Sequence, residues 1–398
     1  MITKLLSSEI RLFLEDIENL GFSLCLVGGI TRDYFLTNKL GVDLDLEIRS
    51  APGLDISVDT WPSYYKKLHR YLIEKNIRYT ELPYLITRVC FAEKNFEFSS
   101  PREEVDLPGN YTHHHFQAIL DPKLSYDLSF KRRDFTINAI GIELHLKSPL
   151  SEKLIDPFNG LDDLKNGILR NITEEFFLDS VRFLRLIRFK LKFENFVIED
   201  KLFSKINFFN LSALSIHHFK EELFKSLPGK FLNLFSHLVL SKKLVIPEDF
   251  KFFTKYTFPD SLSTKEELLA YVFLQNEDDA GKVSSFFSMP EKKLKDLKSF
   301  TTSFDAIQQM HKEDFLSILK LPTEEALKHE LFKDLKNLDE KREWQFILNL
   351  GLEGNAILID WNNWKNIKVS TTELSLLAPS LRSYYQYYKT LKKVLLND

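Results

Sequence analysis

A chain of 398 residues with 44% hydrophobic content is long and apolar enough for two or three globular domains, which excludes a disordered or fibrous protein. Its net charge of −3 excludes a whole-molecule basic field, so any nucleic-acid surface has to be a local patch. Cys25 and Cys90 lie in apolar strand-like runs and read as buried free thiols of a reducing cytosol; no C-x-x-C pair or Cys/His cluster suggests zinc. No apolar run reaches membrane-spanning length. The amphipathic stretch 5–20 carries Glu9, Glu15, Asp16 and Glu18, which a targeting peptide would not. A cytoplasmic protein is expected, with no membrane and no evident protein partner.

Residues 1–20 predict a helix leading into the first strand. Residues 26–48, LVGGITRDYFLTNKLGVDLDLEI, read as strand end, glycine turn, short helix, loop and second strand. Gly28 and Gly29 let the backbone turn tightly and approach a ligand with no Cβ in the way. The helix opening at Ile30 offers free N–H groups and a positive dipole end that suit a phosphate, with Arg32 placed to pair with it. In the second strand, period-2 alternation sends Val42, Leu44, Leu46 and Ile48 to one face and Asp43, Asp45 and Glu47 to the other. An isolated D-x-D is ordinarily a solvated face. Directly after a phosphate-binding turn it reads instead as a magnesium site, because carboxylates at i and i+2 can hold one or two hard cations and let phosphates complete the shell.

This stretch resembles the head of the class II nucleotidyltransferases, which include the CCA-adding enzymes of tRNA and bacterial poly(A) polymerases. Their signature reads L-V-G-G-x-V-R-D followed by D-x-D; Thr31 replaces the usual valine. The resemblance implies that Asp43 and Asp45 hold two Mg²⁺, one activating an RNA 3′-hydroxyl, the other carrying the triphosphate and stabilising leaving pyrophosphate. Gly28, Gly29 and Arg32 would anchor that triphosphate.

Residues 59–75 carry a helical pattern (Trp61, Tyr65, Leu68, Leu72), and 78–80, 86–91 and 95–99 read as strands, the last two joined by a turn at 93–95. Phe96 and Phe98 face the core and Glu97 the other way. Beside the Asp43/Asp45 strand, Glu97 would be a third acidic group near the metals; otherwise it is a surface glutamate on a hairpin. Residues 101–130 look loop-rich. The run His113-His114-His115 cannot turn all three rings to one ion from a helix or strand, so it reads as a mobile loop. The string PREE…GNYT…LDPKL…LSFKRRDFTIN is similar to the bacterial tRNA enzymes in particular, whose flexible loop in this region goes with adding the final A.

Residues 131–139, KRRDFTINA, resemble a second signature, R-R-D-x-x-x-N-A; this implies that Arg133 and Asn138 contact triphosphate and sugar and that Asp134 takes the ribose 2′-hydroxyl. Asp156, Gly160 and Asp163 fall in DPFNGLDDL, similar to the family's D-P-x-x-G-x-x-D-L linker. Proline and glycine flanking a short turn predict a hinge that lets the head and the base-reading segment reorient between additions. The third motif, FLDSVRFLR at 177–185, resembles E-D-x-x-R-x-x-R, with Leu178 where Glu is usual and Ser180 where bacterial members often have Pro; Asp179, Arg182 and Arg185 fill the pattern. On a helix Asp179 and Arg182 are i, i+3 neighbours, which suits either a structural ion pair or a protein template for the incoming base. Cytosine and adenine each offer an amino donor beside a ring acceptor, so Asp179 can accept from one and Arg182 donate to the other. Uracil and guanine put a carbonyl where Asp179 needs a donor, leaving a buried group unpaired at roughly 1–3 kcal/mol.

Past residue 200 the signal fades. Residues 212–226, with Lys220, Glu221 and Lys225, faintly resemble the family's fifth motif, and amphipathic helices such as 230–240 and 343–350 follow. This Lys-, Phe- and Tyr-rich half reads as an all-helical body that grips tRNA by phosphates and shape, or as a charged, solvated helical surface. None of His237, His311 and His329 is followed by Asp, so a C-terminal phosphohydrolase domain is not expected. The fold expected is α+β: a small mixed-sheet nucleotidyltransferase head (1–140), a helical neck with the nucleotide-selecting segment (141–225), and an all-α body and tail for tRNA (226–398). The implied reaction is template-independent addition of C, C and A to the tRNA 3′ end from CTP and ATP. A poly(A) polymerase of the same class shares every motif, whereas a non-catalytic RNA-binding homologue would have lost the strand carboxylates, and both remain.

Overall fold

The computed structural model describes residues 1–106, 116–147, 149–340 and 369–396; residues 107–115, with the three histidines, and the helix expected over 343–350 lie outside the described residues. The chain divides into two compact units, Met1–Ser226 with Leu234–Thr254, and Leu227–Asn233 with Lys255–Asp398.

In the first unit, helix α1 (Ser8–Asn19) begins where the Ser7 side chain accepts from the Ile10 N–H, and it buries Ile10, Phe13, Leu14 and Ile17 at helical spacing. Strand β1 (Phe22–Val27), helix α2 (Gly29–Thr37) and strand β2 (Asp43–Ser50) follow. Helix α3 (Trp61–Glu74) buries the expected Trp61, Tyr65, Leu68 and Leu72. Then come β3 (Tyr79–Leu82), β4 (Ile86–Phe91), β5 (Lys94–Ser99), the pair β6 (Arg102–Asp106) and β7 (Phe116–Leu120), α4 (Tyr126–Lys131), β8 (Gly141–His145) and β9 (Ser151–Ile155). Seven strands make one mixed sheet in the order β3-β4-β5-β2-β1-β8-β9. Only β2 and β5 run parallel; the other neighbours are antiparallel.

One face of the sheet gives Leu24, Leu26, Leu44, Leu46, Ile48, Phe96 and Phe98 to a core shared with α1 and α3. The alternation of β2 therefore leaves Asp43, Asp45 and Glu47 on the opposite face. Helices α5 (Gly160–Asn166), α6 (Ser180–Lys192), α7 (Asp200–Ser204) and α8 (Ile216–Phe224) complete the part that concerns the site. In the second unit the described elements are helices, among them Lys265–Gln275, Glu291–Gln308, Glu330–Glu340 and Arg382–Leu396. Asp334 accepts from Ser303 at 2.8 Å and Asn337 donates to the Ser299 carbonyl at 2.9 Å, which stitches two of these helices together. The molecule is α+β, with a mixed-sheet head followed by a mostly helical region.

Several expectations change. Val42 stands ahead of β2 and is 54% exposed, so the apolar stripe begins at Leu44. Glu47, expected beside Asp43 and Asp45 on the acidic face, is fully buried: it accepts from Arg49 Nε at 2.9 Å and from the Ser129 hydroxyl at 3.1 Å, because α4 covers that end of the strand. Cys25 is buried but Cys90 is exposed, since β4 alternates and turns Val89 inward. Residues 101–130 hold the β6–β7 pair and α4 instead of being mainly loop. The K-R-R-D run starts at the last residue of α4 and continues past its end, and the sheet draws β8 and β9 from beyond residue 140.

The buried Glu47–Arg49 pair yields a stability prediction. Glu47→Ala leaves a guanidinium buried without its anion and should cost about 3–5 kcal/mol, read as a fall in thermal midpoint. Replacing both residues by apolar ones of similar size should cost less than the single change.

Candidate active site

The polypeptide bends at Gly28, whose φ of 79° and ψ of −130° lie outside the range an L side chain adopts readily. A Cβ there would come within 2.9 Å of Arg133 Nη1 and 3.8 Å of Asp45 Oδ2. The glycine bend, the second acidic residue of β2 and the second-signature arginine thus converge on one point. The Thr31 hydroxyl lies 2.9 Å from the Gly28 carbonyl and 2.7 Å from that of Ile140, tying the bend to the chain entering β8. Valine, usual at this position in the family signature, could make neither bond, a gain that sequence reading passed over.

The acidic groups sit along one sheet face. Asp43 accepts from Asn95 Nδ2 at 2.8 Å. Parallel pairing sets Asp45 opposite Glu97, so β5 does lie beside the D-x-D strand. Partial desolvation, then Glu97 and Asp43, hold the Asp45 carboxyl above the ordinary carboxylate value, with Arg133 pulling the other way. Among the described residues, Glu47, Glu97, Asp134 and Glu222 each pair with an arginine, whereas no such ion pair forms at Asp43 or Asp45. Glu97 is held by Arg88, Nε to Oε2 at 2.8 Å. The three carboxylates are not all gathered within 4.8 Å of one another; among the described residues the grouping that is so gathered is His217, His218 and Glu221 on α8, mostly exposed. Asp43, Asp45 and Glu97 line a cleft of about 1050 Å³ whose other walls include Arg78, Arg88, Arg185 and Arg188.

Arg32 Nη2 lies 3.5 Å from where a Cβ on Gly29 would stand, and the rest of the side chain is held from other sides. It is 4% exposed, its Nη1 donates to Asn138 Oδ1, its Nε donates to Asp33 at 2.8 Å, and Phe189 and Phe193 of α6 flank its guanidinium. Arg133 is the arginine beside Gly28, with its Nε buried and unbonded. Asn138 Nδ2 in turn donates to Asp134 Oδ1 at 2.8 Å, and Arg185 Nε donates to Asp134 Oδ2 at 2.7 Å. Burial pushes the Asp134 carboxyl up, but Arg185, Asn138 and the Phe135 N–H outweigh it and hold the group at about 2. Asp134 and Asn138, expected at the sugar and triphosphate, are therefore members of a buried chain, Arg32–Asn138–Asp134–Arg185, that joins the three sequence motifs.

Asp179 is the N-cap of α6 and not a helical residue; its Oδ1 accepts from the Val181 N–H at 2.8 Å. Arg182 Nε still stands 3.7 Å from Asp179 Oδ2, and its Nη2 donates to the Arg132 carbonyl at 2.9 Å. Arg185 and Arg188 of the same helix line the cleft; Asp179 and Arg182 do not. Arg188 pairs with Glu222 of α8, a buried acid that also takes Lys225 at 3.1 Å. Sequence reading named Lys220, Glu221 and Lys225 in this stretch and missed Glu222, although only its helical spacing from Phe219 and Leu223 marked it as inward-facing.

Asp156, Gly160 and Asp163 of the expected hinge each make a polar or packing contact. Asp156 accepts from the N–H groups of Gly160 at 2.7 Å and Leu161 at 3.0 Å, capping α5. A Cβ on Gly160 would lie 2.1 Å from the Thr136 carbonyl oxygen, so glycine is required by close packing. Asp163 is buried and accepts from the Thr136 hydroxyl at 2.7 Å and Arg170 Nε at 3.0 Å.

Residues 24–170 match the family model of the poly A polymerase head domain. A CCA-adding enzyme of Lactobacillus helveticus is 30% identical over 269 residues, covering 66% of this chain and 58% of that protein. A multifunctional CCA protein of Burkholderia multivorans is 36% identical over 104 residues, 26% of this chain and 25% of that one. The chain therefore spans little more than half the length of the first of these relatives. Among solved structures, a tRNA-processing enzyme with CTP superposes at a TM-score of 0.60 and 17% identity, covering 96% of this chain and 99% of that one. The Thermotoga maritima CCA-adding enzyme complexed with tRNA superposes at 0.56 and 17% identity, covering 100% and 94%. No helix among the described residues is long and apolar enough to cross a membrane. Residues 24–170 thus match the poly A polymerase head domain, and the chain is similar in sequence to CCA-adding enzymes and shares their fold.

Proposed function

We propose that the protein adds C, C and A to the 3′ end of tRNA, using CTP and ATP and releasing pyrophosphate. The observation that carries this reading is the convergence of Asp45 and Arg133 on the Gly28 bend, with Asp43 on the same strand face. Two neighbouring carboxylates without an ion pair, one of them with a raised pKa, form a hard-oxygen donor set that fits divalent cations. Bound there, Mg²⁺ would supply Lewis acidity to the attacking hydroxyl and charge neutralisation to the triphosphate.

The chain's own residues do the rest. Asp43 and Asp45 present the donor oxygens. Gly28 lets the backbone approach the triphosphate, and the orphaned N–H of Arg133 answers one of its oxygens. The primer 3′-oxygen then bonds to the α-phosphorus as the bond to the β-phosphate breaks, and the hydroxyl proton is lost. Val181 fixes the Asp179 carboxylate and Arg132 fixes Arg182, so both are held for reading a base edge before the nucleotide arrives. The helical region from 226 to 398 is assigned to the tRNA itself. Reduced, unpaired cysteines suit a reaction in the cytoplasm.

A poly(A) polymerase is the second reading, favoured by the description of the matching head model. Pure protein incubated with tRNA lacking its terminus, and separately with an oligo(A) primer, separates the two. Long homopolymer tails from ATP alone would overturn the tRNA assignment.

Asp43→Ala and Asp45→Ala should each abolish incorporation of C and A alike; persistence of either would remove the metal assignment. Asp179→Ala should lower discrimination between CTP and UTP by about 10-fold or more, the equivalent of one lost base-edge pairing. An unchanged CTP/UTP ratio in kcat/KM would sink the protein-template idea.

A further inference from the structure

The sheet register places four cleft side chains in one row. Asp45 pairs with Glu97, Glu97 with Arg88, and Arg88 with Thr80, on successive strands β2, β5, β4 and β3. Residues opposite one another across strands share a face, and all four line the same cleft. Read from the glycine bend toward the sheet edge, the row runs carboxylate, carboxylate, guanidinium, hydroxyl. Arg88 belongs to none of the sequence motifs.

Arg88 holds Glu97 through Nε at 2.8 Å, with side-chain exposures of 63% and 31%. An ion pair this open to water is weakly held and exchanges partners at little cost. Its direction matters more than its strength. It engages the one carboxylate that lies between the arginine and Asp45, and the ligand oxygens of Asp43, Asp45 and Glu97 do not all lie within 4.8 Å of one another. Arg78 lies on the same wall of the cleft, just ahead of β3, the edge strand of the sheet.

We propose that Arg88 is a positioning residue that works by exchange. It occupies Glu97 while no divalent cation is bound, and it releases Glu97 to the cation and turns to a primer phosphate when RNA enters. The proposal rests on the nucleotidyl-transfer reading of the cleft. Two adjacent carboxylates in a half-enclosed cleft repel each other, and a guanidinium at the end of the row offsets that repulsion without blocking the centre. Once a cation does the same, the arginine is surplus there. A guanidinium at the rim beside Arg78 then offers a phosphate two parallel N–H donors. Arg88 would in this way link primer binding to completion of the metal site, each favouring the other.

The test uses the full chain as wild type, Arg88→Ala, Arg88→Gln and, as a charge control on the same wall, Arg78→Ala. Mn²⁺ binding is titrated by electron paramagnetic resonance without RNA, and KM and kcat are measured on tRNA lacking its terminus. With Arg88 removed, Mn²⁺ should bind roughly 3- to 10-fold tighter, because a competing cation has gone. The KM for RNA should rise by about 5-fold or more, with the larger part of the loss in KM, because a phosphate contact has gone. Arg78→Ala should raise KM and move Mn²⁺ affinity less. Adding Glu97→Gln to Arg88→Ala should cancel the gain in Mn²⁺ affinity. Opposite movements of metal and RNA binding are what a merely structural ion pair would not produce.

Unchanged or weaker Mn²⁺ binding in both Arg88 variants overturns the exchange, even if KM rises, since Arg88 would then be an RNA contact alone. An equal gain from Arg78→Ala also overturns it, since the effect would be general electrostatics. If the wild type binds Mn²⁺ but extends no RNA, the proposed function fails, while the Mn²⁺ comparison still decides whether Arg88 competes for Glu97.

Discussion

The head depends on one buried polar chain. Arg32 holds Asn138, Asn138 holds Asp134, and Asp134 holds Arg185. These four residues come from three stretches of sequence more than forty residues apart, and each brings a group that water would otherwise satisfy. Arg32 and Asp134 are almost entirely buried, so every bond in the series is made at low dielectric, where a missing partner is costly. Because the chain is complete, the glycine bend, the K-R-R-D turn and helix α6 are fixed relative to one another. The aromatic rings of Phe189 and Phe193 finish the arrangement by covering the flat faces of Arg32.

Around that chain the charges follow a rule. Acidic groups with structural work are matched by arginines: Glu47 by Arg49, Asp134 by Arg185, Glu222 by Arg188. Asp43 and Asp45 are not, although arginines stand close by in the cleft wall. Arg133 acts on Asp45 through its charge alone, while its Nη1 donates to the Asn138 carbonyl at 3.2 Å. The result is a carboxylate pair in a basic surround, a field that attracts a cation at its centre and polyanions at its rim. Net charge near zero and local polarity of this kind coexist without conflict.

How much of this was legible follows from the range of the interaction concerned. Gly28, the D-x-D alternation and the inward Phe96 and Phe98 are local consequences of backbone geometry and strand period, and they were read from a few residues. The position of Glu97 needed one further fact, that β5 pairs parallel with β2, which the sequence offered only as a condition. The bond between Arg32 and Asn138 could not be read, because the two lie 106 residues apart and nothing near the glycine turn announces it. Glu47 and Cys90 were misplaced for opposite reasons. An acidic residue on an acidic face looks solvated until α4 covers it, and a cysteine between Val89 and Phe91 looks buried until strict alternation turns it out. The β6 strand, Arg-Glu-Glu-Val-Asp, has no apolar stripe, so its pairing with β7 left no periodic trace.

The same reasoning bears on how the proposed base reader is built. Asp179 stands at the N-cap of α6, where its carboxylate accepts from the Val181 N–H of the helix's own first turn. Further along that helix, Arg185 and Arg188 are clamped by Asp134 and Glu222, from the second signature and from α8. The template, the wall of the cleft and the anchor to the head are thus three segments of one rigid rod. The linker before it is no softer, because Gly160 is wedged against the Thr136 carbonyl and Asp163 is tied to Thr136 and Arg170. In the proposed reading the Asp179–Arg182 pair, whose 3.7 Å separation is longer than a hydrogen bond, is the contact that would open to admit the edge of a base.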